Sequence, residues 1–184
     1  TAQAACGGSP WAPTWRDTFR YVDQLGRLAR QGVRVVAHNT LAASDYALID
    51  DQTLEPRPSY WAAVLWRRLM GTVVLERPDA ALPDVKLYAH CLRGSREGVA
   101  LLAENLGERP RTLAMRGKAA AYIVTAPSLD ARTVRINGHE PRIGANGAFP
   151  RIAPQSVRGA VSLPAHSITF LAVTGTANPA CARP

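Results

Sequence analysis

The sequence predicts an α/β segment followed by an all-β segment, with the change near Gly71. Three observations carry this reading. Apolar residues recur at helical spacing in two stretches before Gly71. A short apolar run, Val33–Asn39, lies between those stretches and reads as a buried strand. After Gly71, strand-forming runs come about every 8–12 residues, the spacing of a β-sandwich.

Composition bounds the rest. The chain has 184 residues, 47% hydrophobic and 20% charged, enough to bury a core and too apolar for disorder. No apolar run approaches the roughly 18 residues of a membrane span, and no N-terminal signal segment is visible. Formal net charge is +8, from 22 Lys+Arg against 14 Asp+Glu, and only Lys86 and Lys118 are lysines. That balance suits a polyanionic partner, while Arg scattered along the chain equally fits genomic base composition.

The elements follow in order. Thr1 to Pro13 is a small-residue loop around Cys6-Gly7-Gly8-Ser9-Pro10. Thr14 is placed to cap a helix carrying Phe19, Val22, Leu25, Leu28 and Ala29, which Gly32 ends. After the strand ending at His38-Asn39, residues 41–57 form a loop rich in Asp, Ser and Pro. Ser59 is placed to cap a second helix with Trp61, Val64, Leu65, Leu69 and Met70 on one face, and Gly71 closes it. Helix, strand, loop and helix make a fragment of a parallel α/β layout. In a β/α barrel the loop after a strand faces the catalytic rim, which would place His38, Asn39 and the stretch through Tyr46 there. Two helices and one strand are too few to close a barrel.

Expected strands beyond Gly71 are 72–76, 85–91, 99–104, 111–116, 120–125, 133–136 and 167–173. Asn137-Gly138 after Val-Arg-Ile is a type I′ hairpin signal. The cysteines are Cys6, Cys91 and Cys181, with no pair at CxxC spacing. One disulfide plus one free thiol is the economical reading, with Cys91 and Cys181 best placed because each lies near an expected strand. Three reduced thiols fit the composition as well. A disulfide would imply export.

The ordered blocks carry a resemblance. Thr1-Ala-Gln-Ala-Ala-Cys-Gly-Gly-Ser-Pro10 resembles the glycine-rich segment after the catalytic glutamate in heparanase-like, family 79 β-glucuronidases. Val22-Asp-Gln-Leu-Gly26, Gly32-Val-Arg-Val-Val36, Tyr46-Ala-Leu-Ile-Asp50 and Pro58-Ser-Tyr-Trp61 are similar to that family's next blocks. Leu69-Met-Gly-Thr72, Leu87-Tyr-Ala-His-Cys91, Val134-Arg-Ile-Asn-Gly138, Leu163-Pro-Ala165 and Ala180-Cys181 continue the order over nearly the whole chain.

The resemblance implies a retaining glycoside hydrolase built as a (β/α)8 TIM barrel plus a β-sandwich. Residues 1–71 would be the last barrel units and residues 72–184 the sandwich. The chemistry uses two carboxylates about 5–5.5 Å apart and no metal or cofactor. In the family the nucleophilic Glu directly precedes the residue matching Thr1, and the acid/base Glu lies further upstream. The implied chain is therefore a C-terminal portion with no catalytic residue of its own, partnered by the upstream portion and inactive alone. Asp17, Asp45, Asp50 and Asp51 read as capping and turn residues.

The implied activity is an endo- or exo-β-glucuronidase on a glucuronic-acid-containing polysaccharide of the heparan sulfate type, and the implied location secreted or periplasmic. The substrate carboxylate would be held by backbone N–H groups at Cys6 and Gly7 and by the Tyr46 hydroxyl, where Cys6 replaces a family glycine. His38 and Asn39 would meet sugar hydroxyls. Trp11 and Trp15 could stack on a sugar or pack in the core. Arg16, Arg20 and Arg57 could meet sulfates or lie on solvated helix faces. His90 reads as structural, and His139 and His166 carry no signal. The resemblance also implies that Cys91 and Cys181 are bridged. Alternatives are a hydrolase of the same plan for another sugar, such as an arabinofuranosidase-like enzyme, and a non-catalytic anionic-polysaccharide module. No nucleic-acid motif is present.

Overall fold

The computed structural model describes residues 7–76 and 82–182. The chain divides into two compact units, Thr1–Val64 with Ala126–Ile152 and Leu65–Thr125 with Ala153–Pro184.

In the first unit, α1 spans Trp15–Arg30. Its buried stripe is Trp15, Phe19, Val22 and Leu25, the period read from the sequence. Thr14 holds the N-cap position, but its hydroxyl donates to the Trp11 carbonyl at 2.7 Å and makes no side-chain cap. Instead the carbonyls of Ala131 and Leu129 accept the Trp15 and Arg16 amides, each at 2.8 Å, which satisfies donors the helix leaves open. This is why residues 126–152 belong with α1. Gly32 follows the helix at φ 83°, as a terminating glycine should.

The strand expected at 33–39 does not form. Those residues are extended coil, and Val35 is 82% exposed. A strand exists only when a neighbouring strand takes its N–H and C=O groups, and none of residues 33–39 lies in a β-ladder.

Helix α2 spans Pro58–Leu69. Pro58 takes its first position, where a missing N–H costs nothing, so Ser59 lies inside the first turn and does not cap it. The Ser59 hydroxyl instead meets the Thr18 hydroxyl at 3.2 Å. The chain passes from Leu69 straight into strand β1, Met70–Leu75, so Gly71 lies in a strand and does not close the helix. A Cβ at Gly71 would run into the Cys91 carbonyl oxygen, so only glycine permits this strand approach.

In the second unit, β2 (Val85–Leu92), β3 (Val99–Asn105), β4 (Arg111–Thr125), β6 (Gln155–Leu163) and β7 (Ser167–Val173) join β1 in one sheet; β5 is Arg135–Ile136, in the first unit. The order is β1-β2-β3-β7-β4, with β6 also on β4, and these strands pair antiparallel. The two strands expected at 111–116 and 120–125 are one strand. Gly117, at φ 82°, lies at a register irregularity where a turn was expected. Strand β6 was not anticipated, because Gly159 and Arg158 interrupt it and only Val161 and Leu163 are fully buried along it.

Leu87, Ala103, Leu113, Ala121, Val161, Leu163 and Leu171 form a single buried cluster drawn from β2, β3, β4, β6 and β7. An antiparallel sheet whose strands share one core in this way is compatible with a sandwich. Cys91 and Cys181 are bridged, closing a separation of 90 residues and fixing the C-terminal stretch to β2. Strand β5 leads into the expected Asn137-Gly138 hairpin, with φ 50° and 83° and an Ile136–His139 bridge.

Candidate substrate-binding site

The glycine-rich loop and the stretch through Tyr46 meet inside the first unit. Gly7 has φ 115° and Gly8 φ 89°, conformations that L side chains rarely adopt. The Gly8 amide donates to Asp45 Oδ2 at 2.6 Å. A Cβ on Gly7 would lie 2.7 Å from Asp45 Oδ1. The loop therefore lies flat against the Asp45 carboxylate, which also accepts the Ser44 hydroxyl at 3.2 Å.

Residues 44–50 are held from beneath by Arg57. Its Nη1 donates to the carbonyls of Ser44 and Asp45, each at 2.6 Å, and to that of Ala47 at 3.3 Å. Its Nη2 donates to Asp50 Oδ2 at 3.0 Å. The side chain is about 10% exposed, so one fork of donors organises a whole loop out of water. Asp50 closes the next turn by accepting the Gln52 and Thr53 amides. The Thr53 amide, then the Arg57 guanidinium, hold its carboxyl well below the usual carboxylate range.

Tyr46 is buried in this loop, and His38 Nε2 donates to the Tyr46 carbonyl at 3.0 Å. A carbonyl only accepts, so the proton on His38 Nε2 is fixed by its partner. The His38 ring stands edge-on to Tyr21 of α1, centroids 5.3 Å apart. Burial pushes the His38 imidazole below the usual histidine range, against the opposing pull of the Tyr46 carbonyl. Burial likewise raises the Tyr21 hydroxyl.

Of the residues expected to bind substrate, Gly7, Tyr46 and His38 thus converge on Ser44–Ala47. Asn39 is exposed beside His38. Cys6 lies outside the described residues. Trp15 is core, 1% exposed and edge-on to Phe19, whereas Trp11 is half-exposed in an open cleft of about 600 Å³ with Arg16, Asp130 and Arg132. Arg16 pairs with Asp130 and Arg20 with Asp17, across α1's own surface in the second case. Asp50 acts as a turn acceptor, as its sequence position indicates, whereas Asp17 pairs with Arg20 and Asp45 accepts across 37 residues of sequence.

Two organising residues were not singled out for these roles. Arg57 is neither a sulfate contact nor a solvated helix residue. Its signal was the Pro56-Arg57-Pro58 setting, where a charge flanked by two rigid residues has little freedom to reach solvent. Asp45 gives no signal beyond adjacency to Tyr46. Among the described residues no group of three His, Cys, Asp or Glu could hold a metal ion.

No family model matches the chain. It is 42% identical over 103 residues to heparanase-like protein 1 of Arabidopsis thaliana, covering 56% of this chain and 19% of that protein. It is 29% identical over 148 residues to the baicalin-beta-D-glucuronidase of Scutellaria baicalensis, covering 77% and 28%. It is 32% identical over 205 residues to the heparanase of Gallus gallus, covering 98% and 38%. The chain therefore spans less than two fifths of the length of these relatives. A GH51 arabinofuranosidase from Xanthomonas axonopodis pv. citri shares the fold with a TM-score of 0.53 at 18% identity, over 88% of this chain and 36% of that one. The resemblance read from the sequence, to the C-terminal portion of heparanase-like, family 79 glycosidases, is borne out by these relatives.

Proposed function

We propose that this chain is the C-terminal portion of a retaining β-glucuronidase of the heparanase type, acting on glucuronide bonds in heparan sulfate-type glycans. Residues 1–71 then complete a (β/α)8 barrel and residues 72–184 supply a β-sandwich. The nucleophile and acid/base glutamates lie upstream of Thr1, and the chain is inactive without that portion. The enzyme is exported, in keeping with the Cys91–Cys181 bridge.

One observation supports this reading: the Gly7-Gly8 loop is held against Ser44 and Asp45, the residues next to Tyr46 in sequence. Fixed backbone N–H groups suit a carboxylate because they are preorganised at no side-chain entropy. The likeness to proteins named heparanase and glucuronidase supports the substrate class. The upstream carboxylates would do the covalent chemistry, while this chain's residues orient the sugar.

The test is Tyr46→Phe in the complete protein. The variant should lose at least about tenfold in kcat/KM for a glucuronide, the scale of one lost hydrogen bond to a charged group, and much less for the matching glucoside. Glucuronide hydrolysis at the wild-type rate would overturn the carboxylate assignment.

A further inference from the structure

We propose that His38 is not a sugar contact but a positioning residue, one that sets the angle of Tyr46 toward a uronate. The role rests on reading the Tyr46 hydroxyl as a donor to that carboxylate.

Two peptide planes flank a residue, and its only soft backbone torsions lie between them. Both planes at Tyr46 are gripped by side chains. Arg57 Nη1 donates to the Asp45 carbonyl at 2.6 Å, which holds the plane before Tyr46. His38 Nε2 donates to the Tyr46 carbonyl at 3.0 Å, which holds the plane after it. The Ala47 amide of that second plane donates to the Ser44 carbonyl at 3.1 Å, and Arg57 holds Ser44 in turn. Fixing φ and ψ fixes the Cα–Cβ direction and the rotamers open to the ring. The phenol is thereby aimed from its own backbone.

His38 is itself braced. Its ring stands edge-on to the buried Tyr21 of α1, centroids 5.3 Å apart. The Tyr46 carbonyl is thus referred to a helix rather than to a neighbouring loop. The Nε2 proton given to that carbonyl is not available to a sugar hydroxyl, so this atom cannot serve both. Without the donor, the second plane keeps only its N–H bond and rocks about it, which turns ψ of Tyr46 and carries the hydroxyl off line.

The experiment compares kcat/KM for a glucuronide and the matching glucoside in the complete protein, for wild type, His38→Phe, His38→Gln, Tyr46→Phe and the double variant His38→Phe with Tyr46→Phe. Phenylalanine keeps a ring against Tyr21 and removes the donor, and glutamine keeps an N–H donor. His38→Leu makes the same test where phenylalanine does not pack. The glucuronide-to-glucoside ratio should fall about fivefold in His38→Phe, the scale of one hydrogen bond, and recover in His38→Gln. In the Tyr46→Phe background, loss of the His38 donor should change the ratio no further, because the hydroxyl it aims is gone. A role in folding alone would lower both substrates together and leave the ratio fixed; that result, with Tyr46→Phe still losing glucuronide selectivity, overturns the role of His38 and spares the uronate site. An equal fall with and without the Tyr46 hydroxyl would make His38 a direct sugar contact, and also overturns it. If wild type turns over no glucuronide, or Tyr46→Phe keeps the wild-type ratio, the uronate reading fails and the role of His38 falls with it.

Discussion

The Asp45 carboxylate accepts the Gly8 amide at 2.6 Å across 37 residues of sequence, and this bond joins the glycine-rich loop to the stretch that carries Tyr46. Arg57 grips the carbonyls of Ser44, Asp45 and Ala47 in the same stretch.

Arg57→Ala should destabilise the protein by about 3 kcal/mol or more, because three carbonyls and the Asp50 carboxylate lose a buried, charged donor together. Arg57→Lys should recover only part of this, since an ammonium cannot span the fork. Chemical denaturation of the three proteins measures it. Equal stability of wild type and Arg57→Ala would mean the loop is held by other contacts.

The two glycines should differ. Gly8→Ala has open space and suffers only backbone strain, about 1–2 kcal/mol. Gly7→Ala has the same strain and also drives its methyl into Asp45 Oδ1, so it should cost more. In an Asp45→Ala background the difference should shrink, which a double-mutant cycle reads as coupling between the positions. A Gly7→Ala penalty independent of residue 45 would contradict the packing described here.

The helical and hairpin elements were legible because their signals are local. The period of Phe19, Val22, Leu25, Leu28 and Ala29 gives α1, and Asn137-Gly138 gives its turn without reference to anything distant. The strand at 33–39 did not form because burial and pairing both depend on residues elsewhere, and here Val33 and Val35 stay exposed. β6 escaped notice for the converse reason: its partner β4 supplies the order, while its own sequence shows Gly159 and exposed polar residues. The site was half legible. Gly7 and Tyr46 were singled out from the resemblance and His38 from its place after the expected strand, whereas Asp45 and Arg57 act through contacts of 37 and 10–13 residues' separation that no spacing rule contains.

Stability should fall as pH drops below about 6.5. Burial is the largest cause lowering both His38 and His90, each opposed by a hydrogen bond to a backbone carbonyl, Tyr46 and Gly71 respectively. The unfolded chain then binds protons more readily than the folded one, so the stabilisation is complete above the unfolded value of 6.5 and is lost as pH falls through the folded values. Asp50 is lowered too, but its loss comes in acid, below about pH 4. Melting temperatures at pH 7.5, 6.5 and 5.5 should decline for wild type and decline less for His38→Gln with His90→Gln. Parallel slopes would contradict the assignment.

Reducing the Cys91–Cys181 bridge should destabilise by about 4–5 kcal/mol in the chain-entropy view, given the 90 residues it closes. Cys91→Ser with Cys181→Ser should match reduced wild type. No change in melting temperature on reduction would show that the bridge adds nothing the sheet does not already supply.

The loop at Gly7-Gly8, with Tyr46, is proposed to serve a glucuronidase. The most direct measurement is kcat/KM of the complete protein for a glucuronide, the matching glucoside and an arabinofuranoside. The account predicts the glucuronide to be preferred by at least about a hundredfold, the scale of a site built to hydrogen-bond a group its competitor lacks. Equal or better turnover of the glucoside or the arabinofuranoside would contradict it.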